Sequence, residues 1–316
     1  MSMQTPAPNH SVVELKDVSM RYRKAWRGVS ALALDGVNLR LTRGETVGFI
    51  GNNGAGKSTT LRLILGLQRP TSGIIRLNGR PADEPEARRG VAYVPENPYL
   101  YDYLSPLELL LVGIRMHRRD LANHPAQARA HCLQWLRRFG IAHVANQRIR
   151  TFSKGMTQRT ALAHALACEP DFLILDEPLS GLDPIGRQEV VAILEEYRSS
   201  GRTLFFSSHV LNDVEQLADR FVFIHQGKIE AVYSTTEFLS CEAPRFAVTV
   251  EGSAALAGFS QISSRLWQRE IAEAELPTLL AEVTAARETL GLSLYSVRNL
   301  NSLERAYSRF VQSATH

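Results

Sequence analysis

The stretch Gly51-Asn52-Asn53-Gly54-Ala55-Gly56-Lys57-Ser58-Thr59 decides the fold. It matches the pattern G-x-x-x-x-G-K-[ST] in full. Just before it, residues 46–50 (TVGFI) form a short apolar run, the composition of a strand covered on both faces. Just after it, Leu61 to Leu65 reads as a helix that ends at Gly66. Gly51, Gly54 and Gly56 let the backbone wrap with its N–H groups turned inward onto phosphate oxygens. The helix that follows presents its positive dipole end to the same anion. Lys57 supplies a point charge for the β- and γ-phosphates, and the Ser58 hydroxyl is a ligand for Mg²⁺. Asn53, Gly54, Gly56, Lys57, Ser58 and Thr59 are the loop residues expected at a nucleotide.

A phosphate loop needs a carboxylate at the end of a neighbouring strand. The run FLIL at 172–175 delivers Asp176 at its C-terminal end, where parallel sheets bind ligands, and Glu177 follows directly. Two adjacent acids there are costly unless a cation is near or one of them works as a base. Asp176 is therefore expected at Mg²⁺ through its water shell, and Glu177 as general base on an attacking water.

Further short apolar runs at 91–94 (VAYV), 203–206 (TLFF) and 221–224 (FVFI), mostly separated by helical stretches, predict an α/β parallel sheet. Residues 12–18 and 37–41 alternate apolar and polar, as half-exposed strands do. The segment between them, RYRKAWRGVSALALDG, reads as a hairpin connection closed by Asp35-Gly36. From 105 to about 168 the chain reads as helical. Ser105-Pro106-Leu107-Glu108 supplies an N-cap, a proline at the first helical position and a capping-box glutamate. Leu107, Leu110, Leu111 and Ile114 then share a face, and Ala128, Cys132, Trp135, Leu136 and Phe139 make a second one that stops at Gly140. After Val232 the pattern changes. It predicts a strand over 246–250, a helix from Pro277 carrying Leu279, Leu280, Val283 and Leu290 to Gly291, a strand LSLYSV and a last helix near 302–311.

With 316 residues the chain is long enough for about two domains. Its 44% apolar and 22% charged residues exclude wholesale disorder. No stretch approaches the roughly 20 apolar residues of a membrane span, and MSMQTPAPNH lacks the layout of a secretory signal. Cys132, Cys168 and Cys241 are scattered without metal spacing, which favours a reducing, cytoplasmic setting over a disulfide framework. A net charge of +4 is too mild to argue for nucleic acid, and none is expected as a partner. The cluster Arg21, Arg23, Lys24 and Arg27 reads as a solvated hairpin.

Three further motifs follow in order: TFSKGMTQR (151–159), LDEPLSGLDP (175–184) and SSHV (207–210). With the phosphate loop and the Asp176-Glu177 pair, they make residues 12–232 resemble the nucleotide-binding subunits of ABC transporters. The resemblance implies a P-loop NTPase parallel sheet with an antiparallel β subdomain and a helical insertion at about 100–168. That ATP-binding domain would fill residues 1–235, followed by a small C-terminal α+β domain over 241–316. It further implies that Ser153 and Gly155 clasp the γ-phosphate of ATP held by a second protomer, in a head-to-tail dimer. Asp183 would lie at that interface, His209 would sense the γ-phosphate, and Tyr22 would stack on adenine, with Trp26 as a weaker candidate.

There are departures. Glu96 stands where the family carries a glutamine, so it can face Mg²⁺ but cannot donate a hydrogen bond. Lys154 and Met156 replace small and amide residues in the signature. Together with the C-terminal appendage, these resemble the ATPases of exporter-type permeases. The implied function is an ATP-hydrolysing subunit on the inner face of the cell membrane, cytoplasmic and attached through a separate permease. The helix opened by Ser105 and the loop Pro95–Tyr101, with Tyr99, Tyr101 and Tyr103, form the expected docking surface. The rival is a soluble ATPase of DNA repair or translation. Members of those groups carry long coiled-coil arms or two cassettes, and this chain has one phosphate loop and no sustained heptads.

Overall fold

The computed structural model describes residues 11–23, 30–235, 237, 245–253 and 256–300. The chain divides into two compact units, Met1–Ser234 and Thr235–His316. In the first, the run ahead of the phosphate loop becomes strand β3 (Thr46–Ile50), buried along its whole length. The other strands of the unit are β1 (Ser11–Arg23), β2 (Ser30–Thr42), β4 (Ser72–Leu77), β5 (Arg80–Pro81), β6 (Val91–Val94), β7 (Phe172–Asp176), β8 (Thr203–Ser208), β9 (Arg220–His225) and β10 (Lys228–Ser234). Six of them form one sheet in the order β10-β9-β3-β8-β7-β6. All its pairs are parallel except β9 with β10. A central strand flanked on both sides cannot alternate, which is why TVGFI reads as continuously apolar. Gly48 within it faces helix α7 (Leu211–Leu217) so closely that a Cβ there would lie 2.1 Å from Val214 Cγ1.

A second, antiparallel sheet runs β2-β1-β4-β5. Here the expected hairpin connection is corrected. Most of residues 21–36 lie within β1 and β2, which pair from Ser11↔Thr42 out to Arg23↔Ser30. Asp35-Gly36 is a bulge inside β2, with Gly36 at φ 61, where the register slips between Val18↔Val37 and Met20↔Leu34. The alternation of buried Val37, Leu39 and Leu41 with exposed Asn38 and Arg40 is a strand's period. Helix α1 (Lys57–Ile64) touches β2, β4 and β7. One core therefore joins Val13, Leu15 and Leu34 of the antiparallel sheet to Leu61 and Ile64 of α1 and to Phe49 and Phe205 of the parallel one.

Between β6 and β7 lie α2 (Pro106–His117), α3 (Arg119–Ala122), α4 (Pro125–Arg138) and α5 (Lys154–Ala167), with α2, α4 and α5 packed on one another. Leu109 joins the buried face of α2, and Leu111 is only partly covered. Ser105 caps α2: Glu108 N–H donates to its Oγ at 3.3 Å, and Ser105 N–H donates to Glu108 Oε2 at 2.8 Å. Ser105→Ala removes the hydroxyl's half of that exchange and leaves the backbone N–H bond, with an expected cost of about 1 kcal/mol. A thermal melt that drops by roughly 2–4 °C checks it. Cys132 is buried and Cys168 partly so, and burial pushes both thiols up to about 11. Helix α6 (Pro184–Ser199) links β7 to β8.

The second unit is a four-stranded antiparallel sheet in the order β12-β13-β11-β14, with β11 (Arg245–Glu251), β12 (Ser260–Gln261), β13 (Leu266–Ala272) and β14 (Ser293–Asn299). Helix α8 (Leu276–Leu290) ends at Gly291 in the left-handed conformation. Leu279, Val283 and Ala286 of α8 close a core with Val248, Val250 and Ile271. Leu290 is in line with that stripe but ends the helix, beside Gly291, and stays 41% exposed. The helix expected near 302–311, Cys241, Trp26, Lys24 and Arg27 lie outside the described residues. Among the described residues no helix is long and apolar enough to cross a membrane.

Candidate active site

The phosphate loop joins β3 to α1. Gly56 caps α1 at φ 114, and a Cβ there would lie 2.7 Å from Leu34 Cδ2 and 2.9 Å from the Ala33 carbonyl oxygen. Both the conformation and the close approach demand glycine. The helix begins at Lys57 and not at Leu61, because Thr60 N–H and Oγ1 both donate back to the Gly56 carbonyl, at 2.9 and 3.0 Å. Loop and helix are thus continuous. A cavity of about 270 Å³ is lined by Asn53, Gly54, Gly56, Lys57, Ser58, Thr59, Glu96 and Glu177. The Tyr22 phenol reaches the same loop: it donates to Gln68 Oε1 at 2.7 Å and lies 3.3 Å from Thr59 Oγ1.

Lys57 is buried. Its ammonium donates to the Gly51 carbonyl at 2.6 Å and lies 3.2 Å from Glu177 Oε1. Glu177 follows the last residue of β7 in the left-handed region, φ 50, and is itself buried. Its other oxygen, Oε2, lies 2.8 Å from His209 Nδ1 and accepts His209 N–H at 3.4 Å. A carboxylate removed from water needs such partners. Glu177 is therefore held between the lysine of the phosphate loop and the histidine that follows β8.

Asp176 is buried at the carboxyl end of β7 and accepts a hydrogen bond from Ser207 Oγ at 2.6 Å. Burial, and next the charge of Asp176, push the Tyr93 phenol on neighbouring β6 up to about 12. Asp213 on α7 has its carboxyl raised by burial, an effect opposed by Arg187 and reinforced by the charge of Glu177. Ser207 opens the motif SSHV, which does not disclose its bond to Asp176; Tyr93 and Asp213 lie outside the motifs.

The remaining expected residues gather elsewhere. Ser153, Gly155 and Asp183 line a second cavity of about 600 Å³, together with His143, Lys154 and Arg159. Ser153 caps α5, accepting Met156 N–H at 3.3 Å, and so keeps its own O–H to donate outward. Asp183 caps α6, accepting Gly186 N–H at 3.2 Å, and lies 3.7 Å from Arg159 Nη2. Lys154, the cation that departs from the signature, donates to Ser180 Oγ at 3.4 Å. A single chain thus brings the phosphate loop, Glu177, His209 and Glu96 together and keeps Ser153, Gly155 and Asp183 in a separate cavity.

The donor set around the loop is all oxygen: the Ser58 hydroxyl and the carboxylates of Asp176 and Glu96. Hard oxygen donors fit Mg²⁺, which retains waters and shares substrate phosphates. Among the described residues no three His, Cys, Asp or Glu side chains cage a metal ion on their own.

Comparison with known proteins gives a consistent result. A family model described as ABC transporter matches residues 34–180. The chain is 37% identical over 233 residues to an uncharacterized ABC transporter ATP-binding protein of Nostoc sp., covering 73% of this chain and 69% of that one. It is 38% identical over 208 residues to the lantibiotic transport ATP-binding protein SrtF of Streptococcus pyogenes, covering 65% of this chain and 87% of SrtF. A solved dimeric ATP-binding cassette in a post-hydrolysis state, bound to ADP and Pi, matches with a TM-score of 0.64 at 26% identity, over 71% of this chain and 98% of that one.

Proposed function

This chain belongs to the ATP-binding proteins of ABC transporters, and on that premise we propose that two copies of it close head to tail around ATP and drive a separate membrane permease of the exporter type. The protein is an ATP hydrolase that powers transport. The observation that carries the dimer is the separation of its functional residues. Lys57 and Glu177 line one cavity, whereas Ser153, Gly155 and Asp183 line another. Each is half of a site that a second copy completes.

In this reading residues 1–235 form the ATP-binding domain and 241–316 an accessory one. The N–H groups of Asn53, Gly54 and Gly56 and the Lys57 ammonium grip the phosphates, with Thr59 beside them and Tyr22 against the adenine. Ser58, Asp176 and Glu96 hold Mg²⁺, which when bound neutralises charge spread over the phosphate oxygens. Lys57 starts paired with Glu177, 3.2 Å away. An arriving triphosphate takes over Lys57 as the stronger anion and frees Glu177 to act. Water then attacks the γ-phosphorus, its proton passes to Glu177, and the bond to the bridging oxygen breaks, leaving ADP and phosphate. His209, already on Glu177, orients that water and contacts the γ-phosphate. From the partner copy, the Ser153 hydroxyl and the N–H groups at the tip of α5, Gly155 included, close over the same phosphate. Asp183 stands at the seam.

The permease-docking surface in this reading is α2 with the loop before it. Tyr99 is 98% exposed, the rings of Tyr101 and Tyr103 lie 5.8 Å apart on the surface, tilted by 52°, and Val112 and Met116 of α2 are exposed as well. Exposed apolar groups gathered this way mark an interaction site. In this reading the protein sits on the cytoplasmic face of the membrane, attached through that permease. A soluble role in DNA repair or translation is disfavoured, since the relatives carry transport names. The test is affinity purification of the tagged protein from detergent-solubilised membranes. A multi-spanning membrane protein is expected in stoichiometric amount, lost when Tyr99, Tyr101 and Tyr103 are all replaced by serine while ATP binding persists. Undiminished recovery with the triple variant would refute this surface.

A further inference from the structure

One buried hydroxyl in the site has no part in the roles above. Ser207 on β8 is fully buried. Its Oγ accepts Glu177 N–H at 2.9 Å, and its own proton is donated to Asp176 Oδ1 at 2.6 Å. A serine has one proton to give. With Glu177 N–H pointing at the oxygen, that proton must go to Asp176, which fixes the aspartate as the acceptor.

The backbone explains why a hydroxyl is needed. Asp176 and Ser207 are the last register partners of β7 and β8. At Glu177 the chain turns left-handed, at φ 50, and its N–H leaves the strand ladder. A buried N–H with no acceptor is costly. The Ser207 side chain stands in for the missing ladder carbonyl. The three residues of β8 just before it, Leu204-Phe205-Phe206, are apolar and buried, and an aliphatic residue would suit position 207 by propensity. Serine there satisfies both the turned peptide and the carboxylate with one group.

We propose that Ser207 is a positioning residue for hydrolysis: its single hydroxyl sets the orientation of the Asp176 carboxylate and of the Glu177 peptide together, and so fixes the angle between the ion-facing acid and the base. This rests on the reading above, in which Asp176 serves the divalent ion and Glu177 the attacking water. Groups that orient a metal-facing carboxylate in this way are worth about 10- to 100-fold in ion affinity or activity.

The experiment uses the full chain with Ser207 replaced by alanine, threonine and valine. It reads steady-state ATPase kinetics together with Mn²⁺ affinity of the protein–ADP complex by electron paramagnetic resonance. Ser207→Ala is expected to lower kcat about 10- to 100-fold and to weaken Mn²⁺ similarly. KM for ATP should stay near wild type, since Lys57 and its loop are untouched. Ser207→Thr restores the hydroxyl and most of both losses; Ser207→Val, of the same shape, restores neither. Equal behaviour of the threonine and valine variants would overturn the proposal, as would a loss seen in ADP affinity with Mn²⁺ affinity intact. Should the alanine chain fail to fold, Ser207→Cys keeps a weak donor in nearly the same volume. An intermediate Mn²⁺ affinity supports the proposal, and a wild-type value refutes it. Failure of the underlying reading shows separately, as undiminished Mn²⁺ affinity in Asp176→Asn.

Discussion

Lys57→Ala loses ATP affinity by roughly 100- to 1000-fold, the equivalent of about 3–4 kcal/mol for two charge-assisted contacts to phosphate. The expectation follows from where the ammonium sits. It is buried, 2.6 Å from the Gly51 carbonyl, at the first turn of α1 and at the floor of the phosphate cavity. Among the described residues nothing else lining that cavity carries a positive charge, and Glu96 and Glu177 line it as carboxylates. Without Lys57, an incoming triphosphate meets two acids and only backbone dipoles to offset them. Equilibrium binding of a fluorescent ATP analogue measures the effect. A change of less than tenfold would mean that the loop's N–H groups alone hold the phosphates. The empty variant should also melt lower, because Glu177 loses the partner that offsets its burial and keeps only His209. Lys57→Met preserves the apolar packing of the stem, so a lower melt that it shares with Lys57→Ala comes from the lost charge and not from a cavity.

The second large effect is at the proposed base. Glu177→Gln keeps the side-chain shape and removes the proton acceptor, so turnover is expected to fall about 10²- to 10⁴-fold. Nucleotide binding should strengthen at the same time. In the empty chain Glu177 occupies Lys57 as a buried counter-ion, and glutamine gives up that claim. ADP isolates this term because it is not hydrolysed: its affinity for Glu177→Gln should exceed that for wild type, and the empty variant should melt below wild type. With ATP the variant should accumulate as a dimer resolvable by size-exclusion chromatography. Unchanged phosphate release would remove Glu177 from the chemistry.

How much of this was legible in the residues depends on the kind of constraint. The phosphate loop was, because a backbone that wraps an anion at close range tolerates glycine and little else, as Gly56 shows at φ 114. The central strands were, because burial on both faces erases polar residues. Ser105's capping box was, since it is local chemistry over four residues. The long β1–β2 hairpin was not. Its strands are broken by the Asp35-Gly36 bulge, and that dipeptide carries the same signal as a turn. Strand β13 escaped notice because Arg269 falls between Trp267 and Ile271 on one face and masks the alternation. Ser207 and the Lys57–Glu177 contact were invisible for a different reason. They join residues 31 and 120 positions apart along the chain, or are set by a left-handed turn at Glu177, and no local pattern encodes either. The motifs supply the chemical groups, and the sheet order supplies their meeting.

The separation of Lys57 from Ser153 into two cavities of one chain is the feature on which the proposed dimer depends. A structure of the Glu177→Gln chain with ATP bound addresses it directly. Two copies should be found with each ATP lying between Lys57 of one and the Ser153 hydroxyl of the other. ATP held wholly within one copy, or Ser153 facing solvent away from any nucleotide in the closed assembly, would contradict it.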